Sequence, residues 1–270
     1  MRIRIPLWTK FLLIIPVLWP ASAAAQALGL APAQVVQTFK PGVAFEFALA
    51  SVNNGDQPVE MNVQITDFWY NNKNEKVFST PGTSPHSAAN WIQFVPEHFE
   101  IPQHSTQKMK AFVTPPADAR GGYYAVLFVE SKPKLTFDKT KDGKQVFTNV
   151  RVGCLVLLTA EGTADYKIDL QNIKLTPPSG NQGLNLSFDV TNAGNTHVFP
   201  QGRLAVLDSN RKLVAKAESE ALRTLPGQKN SLKVYWTGKL PAGNYTAILT
   251  VPYGNEGIET RSLPFSVAGP

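Results

Sequence analysis

The chain has one cysteine, Cys154, in 270 residues, so no disulfide can form within a single copy of it. It also has no Gly-x-Ser-x-Gly elbow, no phosphate-binding glycine-rich loop and no His-Glu-x-x-His pair. These short motifs are typical of hydrolases, nucleotide-binding enzymes and zinc proteases. Cys154 itself lies in an apolar run, where a thiol behaves as a small buried hydrophobe. We therefore predict a non-enzymatic protein with no catalytic residues, no cofactor and no metal.

Scattered polar residues give only weak support to the opposite view. The histidines lie at irregular intervals, unlike the paired ligands of most metal sites; they are His86, His98, His104 and His197. Four carboxylates are candidates for a glycosidase pair, although surface charge between strands is the simpler interpretation: Asp67, Glu97, Glu100 and Asp118. An enzyme assembled from distant loops is a third-ranked hypothesis, which substitutions at Glu97 and His98 would test.

Strong charge and long apolar runs are also missing. The formal net charge is +6, of which Arg2, Arg4 and Lys10 supply three, so the rest of the chain carries only +3. Such mild basicity gives no reason to expect a nucleic-acid partner. The longest apolar run, residues 11–19, is too short for a transmembrane helix, which needs about 20 residues.

The first 27 residues have the three parts of an export signal: a basic start, the short apolar run, and a stretch of small residues. Cleavage is possible after Ala23, Ala25 or Ala27. We predict that residues 1–27 are a signal peptide and that the mature protein acts outside the cytoplasm, in the periplasm or at the cell surface. No membrane anchor is expected after cleavage.

The remainder is dominated by strand signals, with period-two alternation interrupted by Gly, Pro and Asn every ten or so residues. Two regions repeat one order of signals: an alternating strand, an Asn/Gly turn, a proline turn, and a Gly-Tyr or Asn-Tyr strand start. The pattern predicts an all-β protein with two tandem immunoglobulin-like β-sandwich domains. Residues 28–163 would form the first domain and residues 164–270 the second, joined at residues 161–164.

A basic hairpin is the most informative functional signal. Asp142-Gly143 predicts a tight turn, and the return segment, residues 145–160, reads as one long apolar strand. Lysines crowd the tip: Lys132, Lys134, Lys139, Lys141 and Lys144. If the return strand lies at a sheet edge, it offers main-chain groups to a partner strand, with alternating side chains at Val146, Thr148, Val150 and Val152.

In that hypothesis the lysines attract an acidic segment of an envelope or surface protein. The alternative is an internal strand whose lysines only keep a loop soluble. A separate alternative is direct glycan binding, with peptidoglycan as the partner, through Trp69 or Tyr70, since adjacent residues of a strand point to opposite faces. Trp91 and Trp236 read instead as core residues.

Two segments resemble a known family. Residues 89–102, with Asn90-Trp91-Ile92-Gln93-Phe94, and residues 113–128, with Arg120-Gly121-Gly122-Tyr123-Tyr124, resemble the N-terminal, peptidoglycan-binding domain of WxL-interacting surface proteins. More remotely they resemble the first domain of pilus periplasmic chaperones. Both resemblances imply immunoglobulin-like sandwiches over residues 30–160, acting as cell-wall adaptors or as assembly chaperones.

The chain departs from both families. It lacks the C-terminal membrane helix and basic tail usual in WxL-interacting proteins, and residues 33–39 lack the early arginine with which pilus chaperones hold a subunit. No anchor residue is therefore transferred, and the resemblance supports the fold more than the activity.

Overall fold

The computed structural model describes residues 28–71, 73–137, 145–254 and 257–269. Residues 1–27, where the signal peptide is predicted, and Lys139, Lys141 and Lys144 lie outside the described residues. The first part of the chain has strands β1 (Leu28–Ala31), β2 (Gln34–Phe39), β3 (Phe45–Asn53), β4 (Val59–Tyr70), β5 (Lys76–Ser79), β6 (Ile92–Val95), β7 (His98–Ile101), β8 (Ser105–Val113), β9 (Gly122–Ser131), β10 (Lys134–Phe137), β11 (Val146–Thr148) and β12 (Arg151–Ala160).

The second part has β13 (Ile168–Thr176), β14 (Leu184–Asn192), β15 (Arg203–Asp208), β16 (Leu213–Glu218), β17 (Lys229–Trp236), β18 (Gly243–Gly254) and β19 (Gly257–Val267). The described residues contain no α-helix, and a single short 3-10 turn spans Ala89–Trp91. The predicted all-β class is confirmed.

The first sandwich packs one sheet of order β1-β3-β8-β6 against another of order β2-β12-β9-β4-β5, with β7 also paired to β4. Alternation explains the packing, since every second residue of a strand faces the same side. In β8, for example, Met109, Ala111 and Val113 are buried while the residues between them are exposed. Trp91 packs against this core, as predicted.

Early in the chain, the backbone crosses from one sheet of the first sandwich to the other. β1 pairs antiparallel with β3 in one sheet, and after Pro32-Ala33 the chain enters the other sheet, where β2 runs parallel to β12. Because β2 starts opposite Leu155 and ends opposite Ala160, it lies beside only the second half of β12.

The second sandwich has sheets of order β13-β14-β17 and β16-β15-β18-β19. Strict alternation again selects the core: Leu184, Leu186, Phe188 and Val190 of β14 are buried and the intervening residues are not. Trp236 packs against this core, as predicted.

An asparagine ends a strand at the corresponding place in each domain, and both asparagines have the same structural role. Asn53 ends β3, and its buried amide nitrogen donates to the carbonyls of Gln57, Ile101 and Pro102, while its amide oxygen accepts from the N–H of Gly55. Asn192 ends β14 in the same way. In each domain a buried asparagine therefore satisfies the main-chain groups of the loops that cover one end of the sandwich.

Candidate functional site

The first half of β12 has an unpaired side. The N–H of Leu155 donates to the carbonyl of Ala33 at 3.1 Å, so the odd-numbered residues of β12 direct their main-chain groups away from β9. Arg151 and Gly153 share that parity. In the part of the chain that the structure describes, no strand pairs with them on that side. We call residues 151–154 the β12 open edge.

An aromatic surface lies beside this edge on the outer face of the sheet. The guanidinium carbon of Arg151 lies 3.8 Å from the centroid of the Phe128 ring, and Phe78 contacts that ring edge-on at 5.1 Å. A Cβ at Gly153 would lie 2.9 Å from Phe128, so the ring occupies the space that a side chain there would take. Phe78 is 48% exposed, whereas Phe128 is buried, and β9 and β4 lie between the strand of Phe78 and β12.

The residues of the predicted basic hairpin are only partly brought together. Lys134 begins β10 and pairs in register with Thr148 of β11, and Val146 begins β11. Lys132 forms an ion pair with Glu60 on the neighbouring strand β4. The tip lysines Lys139, Lys141 and Lys144 lie outside the described residues.

The expectation of one continuous return strand over residues 145–160 is wrong. The strand is interrupted at Asn149 and Val150, because the N–H of Val150 donates to the Ser131 side chain at 2.9 Å and Asn149 bonds to the Glu130 carboxylate. Val150 packs against the first core, and Val152 lies in β12, opposite Val129. Val146 and Thr148 therefore belong to a different strand from Val152.

The outer face of the same sheet also packs against the second domain. Tyr124 and Leu157 are buried in one cluster with Leu225 and the half-buried Phe199. Hydrogen bonds reinforce the contact: the N–H of Gly122 donates to the carbonyl of Asn195 at 2.8 Å. Both faces of β9 are thus covered near its start, which explains its almost continuous apolar sequence.

Close approach of the two domains requires glycine at this point. A Cβ at Gly122 would lie 2.2 Å from the Tyr124 hydroxyl and 3.0 Å from the Cα of Thr196. The Arg120-Gly121-Gly122-Tyr123-Tyr124 motif therefore serves the domain junction as well as the turn into β9.

A cleft lies between the domains beside this junction. Arg223 of the second domain donates to the Gln34 side chain at 2.7 Å and to the Tyr70 hydroxyl at 3.3 Å, while its buried Nε has no hydrogen-bond partner. Asn74, in the turn after β4, donates to Asn230 at 2.8 Å and accepts from Gln228 at 2.6 Å. The cleft thus has a cationic and amide-rich wall.

Trp69 and Tyr70, the predicted glycan-binding residues, line this cleft. One lobe, of about 470 Å³, also has Asn71, Asn74 and Gln228 in its wall. Trp69 is half-buried because its ring stacks on His86 at 5.1 Å and contacts Tyr124 at 5.6 Å. The two aromatic side chains therefore lie at one cavity, although they are adjacent in a strand.

The candidate catalytic groups are spread over the molecule. Asp67 is fully buried and accepts from the N–H of Ser84 and the hydroxyl of Ser87, so it organises a loop. His86 lies over Trp69, His98 bonds to Asn62, and His104 pairs with Asp56 on the surface. Among the residues that the structure describes, no three His, Cys, Asp or Glu side chains come together as metal ligands would.

Burial controls the two remaining titratable groups of interest. It raises the pKa of the Cys154 thiol to about 11, which keeps the thiol protonated and unreactive. Burial and the nearby charge of Arg223 lower the pKa of His197 to about 4. His197 is therefore a neutral side chain of the domain junction at physiological pH.

Sequence reasoning missed the cleft because its residues are far apart in the chain. Gln34 and Arg223 are separated by 189 positions, and no local motif marks either one. The sequence also did not show which part of β12 is unpaired, because the parallel pairing of β2 with β12 is a long-range contact.

Comparisons with known proteins give structural likeness alone. No family model matches the chain, and no curated protein is similar to it. Within the described residues, no helix has the length and apolarity needed to cross a bilayer.

Among solved structures, the chain is similar to the class 5 fimbriae chaperone CfaA, with 12% identity over 90% of this chain and 99% of that one and a TM-score of 0.46. It is similar to the E. coli chaperone DraB, with 14% identity over 89% and 96% and a TM-score of 0.44, and to the Pseudomonas aeruginosa chaperone CupB2, with 10% identity over 86% and 98% and a TM-score of 0.37.

Proposed function

We propose that this protein is an exported, non-enzymatic binding protein of the cell envelope that holds an extended segment of another protein by strand addition at the β12 open edge. The observation that carries the proposal is the pair of outward main-chain groups at Arg151 and Gly153, beside the buried ring of Phe128, which the exposed Phe78 contacts. A strand laid there would continue the pairing along β12 from the point where β2 begins.

Charge supports an acidic partner segment. Arg151 lies at the edge itself, and Lys132 and Lys134 follow the paired strand β9. We propose that these residues and the tip lysines Lys139, Lys141 and Lys144 raise the association rate of such a segment. The identity of the partner decides between two roles for this protein. A protein that is being assembled would make it a chaperone-like factor, and a surface protein would make it a cell-wall adaptor.

The test separates main-chain pairing from side-chain contact at one residue. Arg151→Pro removes the outward N–H, whereas the control Arg151→Ala keeps it and removes only the side chain. The probe is a short synthetic peptide of alternating apolar and polar residues with an acidic end, compared with a peptide of equal composition whose apolar residues are grouped together.

We expect the alternating peptide to bind more tightly than the grouped one. Arg151→Pro should weaken that binding by roughly tenfold relative to Arg151→Ala, which corresponds to the net value of one or two hydrogen bonds. Fluorescence anisotropy gives both affinities. Equal affinities for the two variants, with both folded by circular dichroism, would reject strand addition at this edge.

The interdomain cleft supports a second candidate function, binding of a glycan such as peptidoglycan. Trp69 and Tyr70 line the cavity together with the amide side chains of Asn71, Asn74 and Gln228, a combination of residue types that suits sugar rings. Tyr70→Ala should then reduce cosedimentation with purified peptidoglycan. The control is Tyr235→Ala, since Tyr235 is 56% exposed and lies at the other end of β17 from the residues that line the cleft. Equal losses in both variants would count against the cleft.

A further inference from the structure

The last strand, β19, is a long edge with its own chemistry. It pairs with β18 over its whole length, and in the described part of the chain no strand pairs with its other side. It is distinct from the β12 open edge, because it belongs to the second domain.

The two prolines of this hairpin show which residues face outward. Pro264 lies opposite Thr246, and Pro252 lies opposite Ile258. Proline has no N–H to donate, so these pairs are the non-hydrogen-bonded ones of the ladder. The carbonyl of Pro252 accordingly accepts from Gln201 on the far side of β18. It follows that the even-numbered residues of β19 direct their main-chain groups away from β18.

Ile258, Thr260 and Ser262 therefore present three consecutive outward N–H and C=O pairs. Their side chains are exposed, and Ile258 is 60% exposed. On the opposite face of the strand lie Glu259 and Arg261, whose side chains are partly exposed and 2.8 Å apart. The two neighbours of Thr260 in the strand therefore carry opposite charges.

We propose that β19 pairs antiparallel with β19 of a second copy of this chain, in the register that places Thr260 opposite Thr260. In this register Glu259 of each copy lies opposite Arg261 of the other, in a non-hydrogen-bonded pair where side chains are closest. Ile258 lies opposite Ser262, and all outward groups of these residues are paired.

The neighbouring symmetric registers are excluded by charge. Centring the pairing on residue 259 places Glu259 opposite Glu259, and centring it on residue 261 places Arg261 opposite Arg261. Like charges directly opposite one another destabilise a sheet. The sequence around Thr260 is therefore self-complementary in one symmetric register of the three.

Formation of the pair requires one local rearrangement. In a single copy, Nη1 of Arg261 donates to the carbonyl of Thr260 as well as to Glu259, each at 2.8 Å. The second copy replaces the first bond with a main-chain N–H and offers its own Glu259 to the guanidinium. Because only a few residues pair, the dimer is weak and depends on concentration and on salt.

Charge reversal tests the register. Sedimentation equilibrium of the purified protein should show a monomer–dimer equilibrium. Glu259→Arg alone and Arg261→Glu alone should each weaken dimerisation by roughly tenfold or more, because two attractive pairs become repulsive. The double variant Glu259→Arg/Arg261→Glu should restore it.

The double variant also guards against misfolding as an explanation, since it carries both substitutions. Thr260→Pro removes the central outward N–H and should abolish the dimer. Monomers at every concentration tested would overturn the proposal and would mean that Arg261 and Pro264 protect the edge. A dimer that none of these variants changes would overturn it as well, whereas Arg151→Pro should leave the dimer unchanged.

Discussion

At the scale of the residue, two buried asparagine side chains hold the loops at one end of each sandwich. Asn53 and Asn192 are at most 1% exposed, and each uses both ends of its amide to bond loop main-chain groups. Removing such a side chain leaves several buried carbonyls without donors, which costs more than the hydrogen bonds themselves contribute.

We predict that Asn192→Ala lowers the free energy of unfolding by about 3 kcal/mol, because the carbonyls of Thr196 and Thr224 lose their donor. Urea denaturation measures the change. Asn210→Ala is the control, since Asn210 is exposed and uses only its main-chain N–H in its turn; we expect a change within about 0.5 kcal/mol. Equal effects at both positions would contradict the role given to Asn192.

His197 makes a second prediction at this scale. Its pKa is lowered to about 4 in the folded protein, against about 6.5 in an unfolded chain. Between these two pH values the unfolded state therefore binds more protons than the folded state. The free energy of unfolding is not reduced by His197 above pH 6.5, and it falls as the pH drops towards 4. The loss from this group approaches about 3 kcal/mol.

His197→Leu should flatten the dependence of unfolding free energy on pH between 4 and 7. The exposed His98 provides the matched control, His98→Leu, which should leave the slope as it is in the wild type. A slope unchanged by His197→Leu would show that other groups produce it.

At the scale of the element, the sequence predicted local features well and long-range pairing poorly. Alternation in β3, β8 and β14 gave the strands and their buried faces, because period two is a local property. The interruption before β12 depends on the side chains of Ser131 and Glu130 across the strand pair. The half-coverage of β12 depends on β2, more than a hundred residues earlier. Neither dependence is visible in the local pattern of residues 145–160.

The two edges also differ in the way they are protected. β12 has no proline within Arg151–Ala160, whereas β19 contains Pro264, and its Arg261 side chain donates to the outward carbonyl of Thr260. Proline and charge at an edge restrict which strands can pair there. We therefore assign a segment of another protein to β12 and a second copy of this chain to β19.

At the scale of the whole molecule, the two sandwiches pack directly against each other. Tyr124, Leu157 and Leu225 share one buried cluster, and Asn74 links the turn after β4 to β14's neighbour β17 through Asn230. The sequence predicted two domains but could not predict this junction or the cleft, because Arg223, Gln34 and Asn74 meet only after both sandwiches have formed. The division at residues 163 and 164 remains our proposal for the domain boundary.

Hydrogen exchange at the amides of Arg151 and Gly153, with and without the alternating peptide, tests the central claim most directly. In the free protein both amides should exchange quickly, while that of Leu155, bonded to Ala33, exchanges slowly. The peptide should slow exchange at Arg151 and Gly153 and leave Leu155 unchanged. Peptide binding that leaves both amides as fast as before would contradict strand addition at β12.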